Sequence, residues 1–137
     1  MNDNYNTYVE DGKKKLIEED YLAAIDLFSK AVQLNPDRHE AYNCLGLCNF
    51  KLNKLPKALH FFEKVISMQP NNLPALNNLG LICQQSGKIN EAIEYLKKAL
   101  FLNASASTYM LLGICYTTKK EYNLAIKYLK KAEKIEP

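Results

Sequence analysis

No apolar run in this chain approaches the ~20 residues that a membrane-crossing helix needs. The opening residues, Met1-Asn2-Asp3-Asn4-Tyr5, carry neither a basic nor an apolar segment. The sequence therefore predicts no membrane insertion and no secretory leader. Tryptophan is absent and glycine is scarce, with five residues in 137. Cysteine is limited to Cys44, Cys48, Cys83 and Cys115, and no two form a CxxC pair. Cys44 and Cys48 would share a helix face, but a metal site needs further Cys or His at ligand spacing. His39 and His60 do not supply it. The expectation is four small buried thiols, no metal, and a reducing, cytoplasmic setting.

Chemistry-bearing patterns are missing too. There is no HExxH, no glycine-rich phosphate loop, no nucleophile–His–acid set and no paired-carboxylate site. The sequence predicts no catalytic residue, no cofactor and no enzyme. Glu18-Glu19-Asp20 reads as a helix end with its cap. Net charge is only +3, too little to point to nucleic acid or an anionic membrane. Nine tyrosines could stack on RNA bases, but most fall at packing positions. The charge is unevenly spread: residues 1–38 are net −3, 39–72 are +2, 73–105 are +1 and 106–137 are +3. Two readings stand: solvated surface with Lys near helix C-termini, or head-to-tail attraction between molecules.

What is present is a repeat. Ala41-Tyr42-Asn43-Cys44-Leu45-Gly46-Leu47 returns as Ala75-Leu76-Asn77-Asn78-Leu79-Gly80-Leu81 and as Thr108-Tyr109-Met110-Leu111-Leu112-Gly113-Ile114. Thr7 to Lys13 is a weaker echo. Gly12, Gly46, Gly80 and Gly113 are spaced by 34, 34 and 33 residues. Ala24, Ala58, Ala92 and Ala125 keep the same steps, as do Phe28, Phe62, Leu96 and Leu129. Apolar residues recur at helical spacing, and no stretch alternates with period two. The pattern predicts helices over 5–18, 21–34, 39–52, 55–68, 73–86, 89–102, 106–119 and 122–135, with residues 1–4 frayed. Leu22, Ala24, Ile25, Phe28, Ala31 and Val32 form the expected stripe of the second helix. Asp20 and Asn53 are expected N-caps, and Gly87 a left-handed C-cap. Pro56 and Pro74 suit first turns. Asn35-Pro36 and Gln69-Pro70 end helices, and Pro137 falls on the equivalent terminating position. The glycine is expected to face the small alanine on the other helix, with the large residue filling space between units.

This spacing resembles the tetratricopeptide repeat, with its Leu-Gly-x2-Tyr, Ala-x3-Phe and terminal Pro. Asp11 and Lys15 depart from it in the first unit, Ala104 in the third, and Tyr or Leu stands throughout at the Trp position. The resemblance implies an all-α fold, a right-handed superhelix of antiparallel helix pairs, with units at 5–38, 39–72, 73–105 and 106–137 in a single domain. It also implies a protein–protein interaction module whose first helices line a concave groove for a peptide or partner helix. Around each glycine the groove-facing places are Val9 and Lys13, Asn43 and Leu47, Asn77, Asn78 and Leu81, and Met110 and Ile114. Glu40, Gln84 and Thr117 sit nearby. An apolar floor with amides suits a neutral, partly apolar peptide, because an amide both donates and accepts. The other reading makes Leu47, Leu81 and Ile114 ordinary packing and the asparagines solvated.

The family's clamp for acidic chaperone tails needs several cations around a carboxylate. In one register its places hold Val9, Lys13, Cys44, Pro74 and Asn78; in the next they hold Asn43, Leu47, Asn78, Ser107 and Leu111. Neither supplies them. The alternatives to groove binding are self-association through the terminal helix pair, where Tyr122, Leu124, Ile126, Tyr128 and Ile135 ring the last helix, and a substrate-recruiting role beside a catalytic domain carried elsewhere.

Overall fold

The computed structural model describes residues 4–136; the expectations for residues 1–3 and for Pro137 lie outside them. Eight helices follow in order: α1 (Asn4–Ile17), α2 (Tyr21–Leu34), α3 (His39–Lys51), α4 (Leu55–Met68), α5 (Leu73–Gln85), α6 (Ile89–Leu102), α7 (Ala106–Thr118) and α8 (Tyr122–Ile135). They match the expected spans to within a residue at each end, and no strand occurs among the described residues. Contacts divide the chain into two compact units, Met1–Pro70 and Asn71–Pro137. In the first, α1 pairs with α2 and α3 with α4, while α3 packs on α1 and α2; in the second, α5 pairs with α6 and α7 with α8, while α7 packs on α5 and α6.

The turns inside each pair share one device. The residue two places past the helix is left-handed: Glu19 (φ 62°), Asn53 (60°), Gly87 (81°) and Lys120 (63°). The next amide then reaches back over the helix end. Asp20 donates to Lys15 O (2.9 Å), Lys54 to Asn49 O (2.8 Å), Lys88 to Cys83 O (2.8 Å) and Glu121 to Tyr116 O (2.9 Å). These wide bonds satisfy carbonyls that the helix leaves open. Gly87 takes the expected role. Asn53 does not: it is the left-handed residue after α3, and Lys54 occupies the N-cap of α4 without a side-chain bond. Asparagine tolerates left-handed φ as well as it caps, and here the tight turn uses the first property.

Helix starts show a second device. Asp20 accepts from Ala23 N (3.3 Å), as expected. Asn72 accepts from Ala75 N at 3.0 Å and Ser105 from Thr108 N at 3.2 Å. At the corresponding place before α3 stands Arg38, which makes no side-chain cap. There the Tyr5 hydroxyl of α1 accepts from Ala41 N at 3.0 Å, with the Arg38 guanidinium 4.1 Å from the Tyr5 ring centre. A tertiary contact thus replaces the missing local cap and anchors α3 to α1.

The packing corrects one expectation. A Cβ at Gly12 would lie 2.6 Å from Phe28 Cε1, at Gly46 2.8 Å from Phe62 Cζ, at Gly80 2.5 Å from Leu96 Cδ2 and at Gly113 2.6 Å from Leu129 Cδ2. The glycine seats the large side chain of the paired helix, rather than meeting the alanine one turn earlier. Both the large residue and its alanine still point inward: Ala24, Phe28, Ala58, Phe62, Ala92 and Leu96 are fully buried. Leu22 leaves the expected stripe and is exposed. It sits two residues before Ala24, about 200° around the helix from it.

Gly46→Ala is therefore expected to destabilise the fold by ~1–3 kcal/mol, the usual cost of overpacking a close crossing. The shift in urea midpoint measures it, and an unchanged midpoint would show that the Phe62 ring moves aside freely.

Candidate functional site

Asn43 and Leu47 on α3, Asn77 and Leu81 on α5, and Met110 and Ile114 on α7 are each four residues apart. Each pair therefore lies along one side of its helix. Asn43, Leu47, Asn77, Asn78 and Leu81 are partly buried, whereas Met110 (51% exposed) and Ile114 (39%) stand well out. An apolar side chain partly open to solvent can still gain from being covered, at about 25 cal/mol per Å².

Within the first unit the expected residues separate. Val9 is 1% exposed and packs into the core with Tyr5 and Phe28. It cannot touch a ligand. α1 supplies the aliphatic residue that the pairing with α2 needs there, where the other first helices carry Asn43, Asn77 and Met110. Lys13 remains available but is tied across to α3, its Nζ 2.8 Å from Glu40 Oε2. The Glu40 carboxylate holds the lysine pKa above its ordinary value. Both side chains are two-fifths exposed, so solvent screening keeps the pair's worth to about 1 kcal/mol or less. Its effect here is to fix two charges beside Cys44.

Within the second unit Asn77 is a joint as well as a surface group. Thr108 donates its hydroxyl to Asn77 Oδ1 at 3.3 Å, and Ser105 Oγ lies 2.8 Å from Thr108 Oγ1. This short chain links the cap of α7 to α5. Met110 turns partly toward the side of α8: with Ala106, Leu129 and Ala132 it lines a shallow cleft of about 210 Å³ edged by Glu133 and Glu136. The two units thus each present amide and apolar groups from their first helices. The sequence did not reveal the Lys13–Glu40 pair or the Thr108–Asn77 bond, because both join residues about a repeat apart.

The thiols follow the expected reading. None of the four cysteines forms a disulfide; Cys48, Cys83 and Cys115 are buried and Cys44 is partly so. Burial pushes the Cys44 thiol up to about 12 and the Cys48 thiol to about 11, and raises that of Cys115. No group of three potential metal ligands occurs among the described residues. No helix among them is long and apolar enough to cross a membrane.

Comparison with known proteins agrees with the geometry. Tetratricopeptide repeat family models match residues 37–100 and 106–137. The chain belongs to the tetratricopeptide repeat family. Its fold is similar to a crystal structure of MamA, with 28% identity and a TM-score of 0.93 over 97% of this chain and 78% of that one. It is similar to MamA from Desulfovibrio magneticus RS-1, beginning at residue 41 (23% identity, TM-score 0.90, covering 96% and 75%). It is also similar to YrrB, described as a tetratricopeptide protein with an unusual peptide-binding site (23% identity, TM-score 0.88, covering 97% and 69%). No curated protein matches it by sequence. Repeats of this family are in general non-catalytic, and the chain is a protein–protein interaction module.

The raised thiol pKa values give a direct check. A thiol whose pKa lies far above the buffer pH is almost wholly protonated, and the protonated form is a poor nucleophile; at about pH 8 native protein should therefore resist iodoacetamide at Cys44, Cys48 and Cys115. Mass spectrometry should find these sites carbamidomethylated only after denaturation. Fast native modification of Cys44 would contradict its burial.

Proposed function

We propose that the chain binds a peptide or partner helix through Asn43, Leu47, Asn77, Asn78, Leu81, Met110 and Ile114. The observation that supports this reading is the repeated pairing, four residues apart, of a partly open amide or thioether with a partly open aliphatic side chain on α3, α5 and α7. The amides bond an extended backbone, while the aliphatic groups take apolar side chains. YrrB, with its peptide-binding site, lends support by likeness of fold. The chain acts in this reading as four repeats, 5–38, 39–72, 73–105 and 106–137, and cysteines outside any disulfide favour a reducing, cytoplasmic setting.

Leu81→Glu is expected to weaken partner capture about tenfold or more, the equivalent of ~1.4 kcal/mol, with helical circular dichroism unchanged. A pull-down with the intact module, beside a version charged at both Leu47 and Leu81, measures it. Equal recovery of the same partner by both folded proteins would count against the reading.

A second reading, self-association, rests on α8. Phe28, Phe62 and Leu96 are fully buried, but Leu129 in the same register is 40% exposed. Tyr122, Ile126 and Leu129 form one open stripe beside Met110. Head-to-tail stacking on α1 is disfavoured, since α1 carries the exposed, polar Thr7, Asp11 and Lys14 in register with the buried Ala41, Leu45 and Cys48 of α3. A two-fold pairing of α8 with α8 of a second copy avoids that. Sedimentation equilibrium over a concentration series should then show dimer, lost in Ile126→Glu. A constant monomer mass at the highest concentration removes this reading.

A further inference from the structure

The two units repeat one aromatic arrangement and then differ. Tyr42 and Phe61 lie 6.5 Å apart at 29°, and Tyr109 and Tyr128, each 67 residues further on, lie 6.2 Å apart at 31°. In the second unit Tyr128 carries another ring: Tyr116 stacks on it at 5.5 Å and 3°, with Lys97 Nζ 5.9 Å from the Tyr116 centre. In the first unit the residue at Tyr116's place is Asn49, and at Lys97's place Ser29. Both are short. Where Tyr116 fills the junction of α6, α7 and α8, the junction of α2, α3 and α4 is left as a cleft of about 440 Å³.

The cleft is lined by residues of all three helices. Ile25, Leu45 and Phe61 form apolar walls, and Asn49 is buried at its base, held by a 2.8 Å bond from its Nδ2 to Leu45 O. His60 stands edge-on to Phe61 at 5.6 Å and Tyr42 lies against it at 29°, whereas Tyr128 also carries Tyr116 nearly parallel at 3°. The charged group of the cleft's lining is the exposed Lys57, with no acidic residue among the lining groups. The volume falls in the range of small ligand pockets, about 300–1,000 Å³.

We infer that this cleft binds the aromatic side chain of an acidic partner peptide, a Tyr or Phe flanked by Asp or Glu, with the ring on Phe61 where Tyr116 lies on Tyr128 and a flanking carboxylate on Lys57. Offset stacking on an aromatic face supplies the ring's specificity. The lysine supplies the preference for acidic neighbours. The site is separate from the residues of the proposed peptide-binding face.

The test uses acetyl-Asp-Tyr-Asp-amide, with acetyl-Asp-Gly-Asp-amide as the ringless probe and acetyl-Asn-Tyr-Asn-amide as the uncharged one, titrated into the whole chain and followed by backbone amide NMR. The tyrosine probe should shift amides of α2, α3 and α4 around the cleft with a Kd on the order of 1 mM, as suits a single anchoring side chain. Asn49→Tyr rebuilds the stack of the second unit; it should melt no lower than the parent and bind at least tenfold more weakly. Lys57→Glu, an exposed change that leaves the core alone, should lose most of the difference between the acidic and uncharged probes. Leu81→Glu should bind the probe like the parent, so failure here and failure of the proposed peptide face are told apart. Absence of shifts at the cleft, equal binding of the ringless probe, or parental affinity in folded Asn49→Tyr would overturn the inference.

Discussion

The close crossing of each helix pair, where a glycine on the first helix receives the large side chain of the second, is the constraint on which the rest depends. The four crossings are near-copies, with a would-be Cβ 2.5–2.8 Å from the side chain it faces. With two helices that close, the alanine one turn before the large residue has room for a methyl and no more. Close pairing also fixes the turn. A helix that must double back within three residues needs a left-handed residue, and three of the four turns use a residue with a side chain for it. That a strained φ is tolerated at Glu19, Asn53 and Lys120 indicates how strongly the packing determines the backbone.

Positions outside the crossing are free to differ, and the proposed binding surfaces lie there. The residue three before the glycine is Val9, Asn43, Asn77 or Met110: one is core, two carry amides, and one is a flexible exposed thioether. The residue three after it is Lys15, Asn49, Cys83 or Tyr116. There the change from Tyr116 to Asn49 opens a cleft without disturbing the crossing, because the ring at that place leans on an aromatic residue of the paired helix and not on the glycine. Repeats of one backbone plan can thus present different chemistry, at the cost of only local packing.

Helix positions were legible in the sequence because an amphipathic period and punctuating prolines are local signals. Pro36, Pro56, Pro70 and Pro74 placed four boundaries almost unaided. The crossing was half legible: steps of 34, 34 and 33 tied the glycines to their partners, but spacing alone could not say whether Ala24 or Phe28 met Gly12, since both lie on one face a turn apart. Asn53 was ambiguous for a physical reason, as its side chain suits both a cap and a left-handed turn. Val9 was misplaced because its register marks a groove position while its neighbours, Tyr5 and Phe28, enclose it. Contacts between residues a repeat apart, such as Tyr5 with Ala41 or Thr108 with Asn77, have no local signature. Asn49 did have one: it stands in register with Tyr116. Only the geometry around Tyr128 gives that difference a meaning.

α3 shows how two proposed binding surfaces can be kept apart on one short element. Asn43 and Leu47 of the proposed peptide face, and Leu45 and Asn49 of the cleft, are offset by two residues, which is about 200° around a helix. The two pairs therefore look in nearly opposite directions. Gly46 and the buried Ala41 and Cys48 lie between them and hold the helix to its neighbours. A ligand on one side would reach the other only by shifting α3 as a body. Such a shift is opposed at one end by the Tyr5–Ala41 bond and along the middle by Phe62 seated on Gly46. Binding on the two faces should therefore be close to independent, with any coupling carried by α3 and expressed first at Tyr5, the contact that stands in for the cap the helix lacks.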